Sequence, residues 1–566
     1  MTWEAAPVPH DLVIRGGTVV DGTGGPPRLA DVAVDGGVIT SIEDAARPGA
    51  EELDAHGLLV TPGFVDPHTH LDAQLCWDPA ASPTSLHGVT TVVVGICGFG
   101  VAPCPPGGGE YLLRSLERVE EIPYESTAIG VPFAWETWPE YFDHLASLPL
   151  GVNVAGMVPH SPLRYAVMGE RARREVAGPE DRRALAGTLR AALEGGALGF
   201  ATSRGPNHVD AFGDPVPSRL ADDLELRALV SECAGRPWQI NVETKFAGDA
   251  AALLAEVDRY AAWTADAGAR LTWTPFFAEP GNNIWQRVLE HHRELNDRVA
   301  VLPQVIAQPV TAVLRFDRPS VARAIVGWEE VMEGFFAAPP AVRAALLRDD
   351  AFREVLRSAP EDCERALAPC YDEWLIARAA APDLVGRTLG AAARARGVAP
   401  SDLMCDLAVE DGLHAEFQVP VVNRDRRGSA TLIADRHTLA GLGDSGAHVT
   451  SVTSYTYTTD TLARLARDEG ALSVAAAVER LTSRPARFFG ITGRGELRPG
   501  YAADLCVIDL PTLAVGPLDV RTDLPGGAAR LYRSATGYAA IFVNGIATVR
   551  AGQATGRPAG RVVRAT

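Results

Sequence analysis

Eight apolar, strand-like runs separated by stretches of helical character constrain this chain more than any other feature. The runs begin near Gly63, Thr91, Val152, Ala197, Trp238, Arg270, Val299 and Leu439. Strands that alternate with helices pair in parallel, and eight such units close into a barrel whose chemistry gathers at the C-terminal ends of the strands. The expected fold class is α/β, a (β/α)8 TIM barrel. The spacing breaks once, between the seventh and eighth runs. The segment Ala341-Val342-Arg343-Ala344-Ala345-Leu346-Leu347 is typical of that interval, which predicts a helical insertion at about 310–430 before the last barrel strand.

The two ends have another texture. Asp11–Gly17 and Asp31–Gly37 are short alternating strands closed by glycine turns, and the same pattern returns in Ala503–Asp509 and Ala540–Gly545. Both termini are therefore expected to pair into one small β-sandwich, 1–61 plus 495–566, with a barrel domain, 62–494, inserted between them.

Composition narrows the partners. A net charge of −19 over 566 residues argues against nucleic acid and anionic membranes, which need a basic surface, and points to small molecules. No apolar run approaches the ~18 residues of a membrane span, and Met1–His10 lacks the pattern of a leader, so a cytoplasmic protein is expected. A homo-oligomer is compatible with the sequence. The 8 cysteines lack framework spacing and read as reduced thiols. Lys245 is the sole lysine, so any chemistry that needs a lysine must use it.

The chemistry-bearing residues sit where the strands end. The first run closes in Gly63-Phe64-Val65-Asp66-Pro67-His68-Thr69-His70; residues two apart on a strand face the same way, so His68 and His70 present two imidazoles to one point. Alone, such a pair is also compatible with ordinary polar strand ends. The second run ends in Gly95-Ile96-Cys97-Gly98-Phe99-Gly100, where a thiolate could bind zinc or simply be a buried thiol. The eighth carries nothing charged before Asp444, a carboxylate able to touch a metal and take a proton from water, or to cap a helix.

The H-x-H pair, the G-x-C-G-F-G loop and the late strand-end aspartate together resemble the amidohydrolase superfamily, in particular its N-acyl-D-amino-acid deacylase (D-aminoacylase) branch. The likeness extends through Val60–Asp66, His87–Thr91, Val158–Arg164, Gly196–Ser203 and Gly495–Leu505. It implies a hydrolase that cleaves an N-acyl-D-amino acid or similar N-acyl compound with metal-activated water, using one or two divalent ions, zinc above all. His68, His70, Cys97 and Asp444 would be ligands, and Asp444 the catalytic proton acceptor. The alternatives are a cyclic-amide or other hydrolase of the superfamily bridging two metals with a carboxylated lysine, and a lapsed barrel that only binds ligands.

The likeness fails after the fifth run, where the family shows consecutive histidines but this chain reads Trp238-Gln239-Ile240-Asn241-Val242-Glu243-Thr244-Lys245; the sixth, Leu271–Phe277, has no histidine either. Alternation from Ile240 and Val242 turns Glu243 toward the barrel axis, which makes it the expected replacement ligand. His160, Arg204, His208, Lys245 and His448 are the candidate substrate-binding residues, Arg204 as a bidentate partner for a carboxylate. His291 and His292 read as a solvated helix face.

Overall fold

The computed structural model describes residues 9–244, 250–281 and 283–565. Eight strands form one sheet in ring order: β1 (Phe64–Asp66), β2 (Val89–Val94), β3 (Asn153–Pro159), β4 (Gly199–Ser203), β5 (Pro237–Asn241), β6 (Arg270–Thr274), β7 (Val301–Val305) and β8 (Leu439–Ala440). Every neighbouring pair is parallel. The β2 sequence Val-Thr-Thr-Val-Val-Val is buried at every position, as a strand covered on both faces requires, and its β-branched residues suit that packing. The ring meets itself past the strand ends. Thr69 bridges Ser445 in parallel, and the His70 amide donates to the Ser445 carbonyl at 2.7 Å. The seam between first and last strands thus passes directly beside the H-x-H pair.

Strands from both termini share a second, nine-stranded sheet. Its junction is Leu59–Pro62 lying antiparallel to Leu505–Ile508, with Val60 opposite Val507. Leu12, Ile14, Val32, Val60, Leu505, Val507 and Phe542 pack into a core of their own. The strand Leu59–Pro62 runs almost without a break into β1, so the terminal sheet fixes where the first imidazoles emerge.

The interval between β7 and β8 departs from the helical expectation. It contains the helices Glu329–Ala337, Asp350–Ser358 and Pro400–Glu410, but also three antiparallel strands, Val310–Leu314, Leu375–Arg378 and Glu416–Val422. The alternation in Glu416-Phe417-Gln418-Val419-Pro420-Val421-Val422, buried at Phe417, Val419 and Val421, is the strand signal hidden among helical neighbours. Leu314, Trp328, Phe335, Trp374 and Phe417 belong to its separate apolar core. The expectation of reduced thiols also needs correction here, because Cys363 and Cys370 form a disulfide. No helix among the described residues is long and apolar enough to cross a membrane.

Candidate metal centre

Three donor side chains meet at the mouth of the barrel, all on the β1–β2 side of its seam. Ligand atoms of His68, His70 and Cys97 all lie within 4.8 Å of one another, and all three residues are buried. Asp444 joins them from the loop after β8: its Oδ1 is 3.1 Å from His68 Nε2 and 3.8 Å from His70 Nε2. The thiol sulfur of Cys97 is also 3.1 Å from His68 Nε2. Two imidazoles, a thiol and a carboxylate converging on one point suit a borderline-soft divalent ion such as zinc.

The backbone is bent to bring them there. Cys97, Asp444 and His448 adopt positive φ values of 58°, 45° and 49°, conformations that cost a non-glycine residue on the order of 1–3 kcal/mol and gather at functional sites. Gly98 permits the turn after the cysteine: a Cβ there would lie 2.9 Å from the Thr202 Cα on β4. Asp66, buried in β1, receives the His68 amide at 3.2 Å, the Ser445 hydroxyl at 3.3 Å and the Tyr457 hydroxyl at 3.3 Å. One carboxyl therefore ties both sides of the seam together. Burial pushes it up to about 7.

Electrostatics reinforce the cluster. Burial raises the Asp444 carboxyl, but the charge and hydrogen bond of His68, with the charge of His448 beyond, outweigh it and hold the group well below the usual carboxylate range. The reverse holds at His68, where burial opposes protonation and Cys97 and Asp444 override it. Burial leaves His70 neutral, pushed down to about 3, with its imidazole available as a ligand.

Each imidazole has a supporting group that the sequence did not reveal. His68 Nδ1 lies 2.6 Å from Gln304 Oε1 on β7, so Nδ1–H donates to the amide and Nε2 faces the cluster. His70 Nδ1 lies 3.5 Å from Glu120 Oε1. Glu120 ends the helix Gly109–Glu120, and Glu121 follows it in left-handed conformation. Two carboxylates at a helix C-terminus oppose the macrodipole; that anomaly was the readable signal. They also hold His448, whose Nε2 is 3.9 Å from Glu120 and whose Nδ1 is 3.5 Å from Glu121. Burial disfavours the His448 cation, but Glu121 and Glu120 prevail and raise it to about 9.

Other expected site residues go elsewhere. Glu243 is exposed and absent from the donor cluster. The strand ends at Asn241, and the amides of Glu243 and Thr244 both donate to the Glu256 carboxylate, at 2.7 and 2.8 Å, so strand alternation no longer governs where Glu243 points. The positions that do face inward are occupied by an amide and hydroxyl network: Gln239 Oε1 accepts from the Cys97 amide at 2.8 Å, Gln239 Nε2 donates to Asn241 Oδ1 at 2.7 Å, and Thr274 Oγ1 donates to the same oxygen at 2.7 Å. Lys245 lies outside the described residues.

His160, expected at the mouth, has both ring nitrogens taken up inside the protein. It is fully buried, bonded to Thr202 and to Glu225, each at 2.8 Å, while Arg164 donates to the other Glu225 oxygen at 2.6 Å. Arg204 is likewise engaged, by Asp223 at 2.9 Å. His208 has its Nδ1 2.6 Å from Ser203 Oγ and its ring edge-on at 5.1 Å to Phe99, two residues after Cys97. His292 is buried, not solvated: Trp273 Nε1 donates to its Nε2 at 2.9 Å and its Nδ1 lies 2.8 Å from the Val288 carbonyl.

Comparison with known proteins places this geometry. The model of the amidohydrolase family matches residues 51–555. An uncharacterized protein of Mycobacterium tuberculosis (strain ATCC 25618 / H37Rv) is 30% identical, over 97% of this chain and 93% of its own length. The D-aminoacylase of Alcaligenes xylosoxydans xylosoxydans is 28% identical, over 99% of this chain and 98% of its own. Among solved structures, a D-aminoacylase described as having a binuclear metal center superposes with TM-score 0.65 at 25% identity, covering 98% of this chain and 100% of that one. An N-acyl-D-glutamate deacylase from Bordetella bronchiseptica, complexed with zinc and a phosphonate inhibitor, gives 0.64 at 25%, covering 99% and 100%. With the barrel, the donor cluster and this likeness along nearly its whole length, the chain belongs to the amidohydrolase family.

Proposed function

We propose that the chain is a metal-dependent hydrolase that cleaves the amide bond of an N-acyl-D-amino acid or a similar N-acyl compound. The observation that carries this reading is the convergence of His68, His70, Cys97 and Asp444 on one point, in a fold whose relatives include deacylases of that class. The donor set suits one zinc ion. Gln239, Asn241 and Thr274 fill the inward positions of β5 and β6 and bond one another and the Cys97 backbone, which leaves no imidazole there for a second ion.

When bound, the ion supplies Lewis acidity that polarises the scissile carbonyl and makes water a nucleophile near neutral pH. Asp444, with 32% of its side chain exposed, is ionised and reaches the solvent side of the cluster. It accepts the proton of the attacking water as the carbon–oxygen bond forms, and returns it to the amine nitrogen as the carbon–nitrogen bond breaks. The products are a carboxylate and a free amino acid. Gln304 and Glu120 keep the two imidazoles oriented. His208 and His448 border the position the substrate takes. A carboxylated-lysine bridge gains no support, since Lys245 is the sole lysine and follows β5.

Apolar cores of their own in the terminal sheet and in the insertion support a division into a small β domain, 1–61 with 495–566, and a barrel domain, 62–494, carrying the insertion 310–430, although Cys506, Ile508, Tyr538 and Ile541 pack into the barrel core. The test of function is hydrolysis of paired N-acyl-D and N-acyl-L amino acids by zinc-loaded protein. Release of amine from the D series, abolished by chelation, is expected; no hydrolysis of any N-acyl compound by fully loaded protein refutes the reading.

A further inference from the structure

Cys97 occupies a conformation that its own side chain resists. Its φ of 58° and ψ of 5° place it in the left-handed region. The neighbouring left-handed residues of that turn are Gly95 and Gly98, so Cys97 is the one that carries a Cβ. Such strain persists only where the surroundings over-determine it. The turn follows β2, yet the group that holds the Cys97 amide belongs to β5, three places further round the ring: Gln239 Oε1 accepts from it at 2.8 Å.

That one bond fixes the orientation of everything behind it. A backbone N–H can only donate, so Gln239 must turn its oxygen to Cys97 and its NH2 group the other way. Nε2 then donates to Asn241 Oδ1 at 2.7 Å and to Thr274 Oγ1 at 3.3 Å, and the Thr274 hydroxyl closes the ring on the same Asn241 oxygen at 2.7 Å. Asn241 and Thr274 are register partners on β5 and β6, which anchors the ring to two paired strands. Gln239 and Thr274 are buried, so losing the Gln239 oxygen would leave the Cys97 amide without a partner.

We propose that Gln239 is a positioning residue of the metal centre: through this ring it holds the Cys97 backbone in its left-handed turn and so aims the thiol at the point where His68 and His70 converge. The inference rests on the metal-dependent reading above and adds what keeps Cys97 in place in a centre to which β5 and β6 contribute no imidazole. Groups that orient a ligand carry ~10- to 100-fold of metal affinity. Thr272 supplies a control. It is the register partner of Gln239 on β6 and equally buried, but its hydroxyl has no hydrogen-bond partner among the described residues.

Cobalt(II) reports on the thiolate directly, because a cobalt–sulfur bond absorbs in the near ultraviolet by charge transfer from sulfur. Native protein and the variants Gln239→Met, Thr274→Val and Thr272→Val are stripped of metal and titrated with cobalt, reading that band and the affinity together. Gln239→Met keeps the volume and deletes the acceptor; affinity should fall about 10-fold or more and the band per bound ion should weaken. Thr274→Val should do both to a smaller extent, and Thr272→Val neither. Native affinity and band in Gln239→Met overturn the proposal. So does an equal loss in Thr272→Val, which makes the effect one of packing. If Gln239→Met does not fold, as judged by its unfolding transition, Thr274→Val decides: affinity lowered about threefold or more with Thr272→Val unchanged supports the assignment, and native affinity overturns it. Cobalt bound by the native chain without the sulfur band overturns it too and leaves metal dependence untouched, whereas a native chain that takes up no cobalt ends both. Should native enzyme hydrolyse no N-acyl compound while the Gln239-dependent band persists, the amidase reading fails and this one stands.

Discussion

His68 Nδ1 rests 2.6 Å from the Gln304 amide oxygen, on the opposite side of the ring from Cys97 and Asp444. That bond decides which nitrogen faces the metal. Changing Gln304 to Leu keeps the bulk and removes the acceptor, so the tautomer is no longer fixed. Zinc affinity should fall about 10- to 100-fold, measured by competition with a chromogenic chelator, with little loss of the folded state. Unchanged affinity would remove Gln304 from the support of the centre.

Asp444→Asn keeps the shape of the residue and deletes its proton-accepting role. kcat should drop on the order of 10²-fold or more, while the unfolding midpoint moves little. A variant with near-native kcat would show that the proton goes elsewhere.

Metal counting tests the amide and hydroxyl network behind Cys97. Protein saturated with zinc and then desalted should retain one equivalent per chain by elemental analysis. Cys97→Ala should lose most of it, because three remaining ligands on a buried point bind more weakly than four. Two tightly held equivalents in the native chain would overturn the single-ion reading.

Acid should destabilise the fold through histidines far from the centre. His292 is fully buried and pushed down to about 4, chiefly by burial; protonating its Nε2 would eject the Trp273 N–H. In the unfolded chain the same ring takes a proton near 6.5. Between those values the unfolded state binds more protons, so stability is complete above pH 6.5 and declines as pH falls toward 4. The loss from His292 alone is on the order of 3 kcal/mol. Melting temperature measured from pH 7.5 to 4.5 should show this decline, and His292→Gln should flatten it; identical slopes in the two proteins would exclude the residue as its source.

The buried triad of His160, Glu225 and Arg164 predicts a large structural effect with no change of mechanism. Glu225→Gln leaves Arg164 without its counter-charge in the interior and should cost about 3–5 kcal/mol. A shift below 1 kcal/mol by denaturant titration would mean that water reaches the pair.

The barrel was readable because parallel strands buried on both faces, such as Val89–Val94, leave continuous apolar runs; each of the eight sequence starting points falls within two residues of a barrel strand. His68, His70, Cys97 and Asp444 were readable because each closes such a run. Glu243 was misjudged because alternation holds only while the chain stays in the strand, and β5 stops at Asn241. Gln304 and Glu120 stayed hidden for another reason. Their roles come from packing across the barrel and from a helix end folding back, and neither leaves a local period. Arg204 and His160 show the converse: residue type and position suggested contact with substrate, but nearby carboxylates had already claimed them.

The seam has a consequence for how the centre comes into being during protein synthesis. His68, His70 and Cys97 leave the ribosome hundreds of codons before Asp444 and the strand Leu505–Ile508 that pins Leu59–Pro62. A domain tends to fold as a unit, and this barrel has its first and last strands at the two ends of its own sequence. A nascent chain halted before Asp444 therefore carries the early donors on an open ring, with neither the bridge from Thr69 to Ser445 nor the Asp444 carboxylate. The donor cluster is completed only once Asp444 has been made, so an N-terminal translation fragment holds a divalent metal less well than the finished protein.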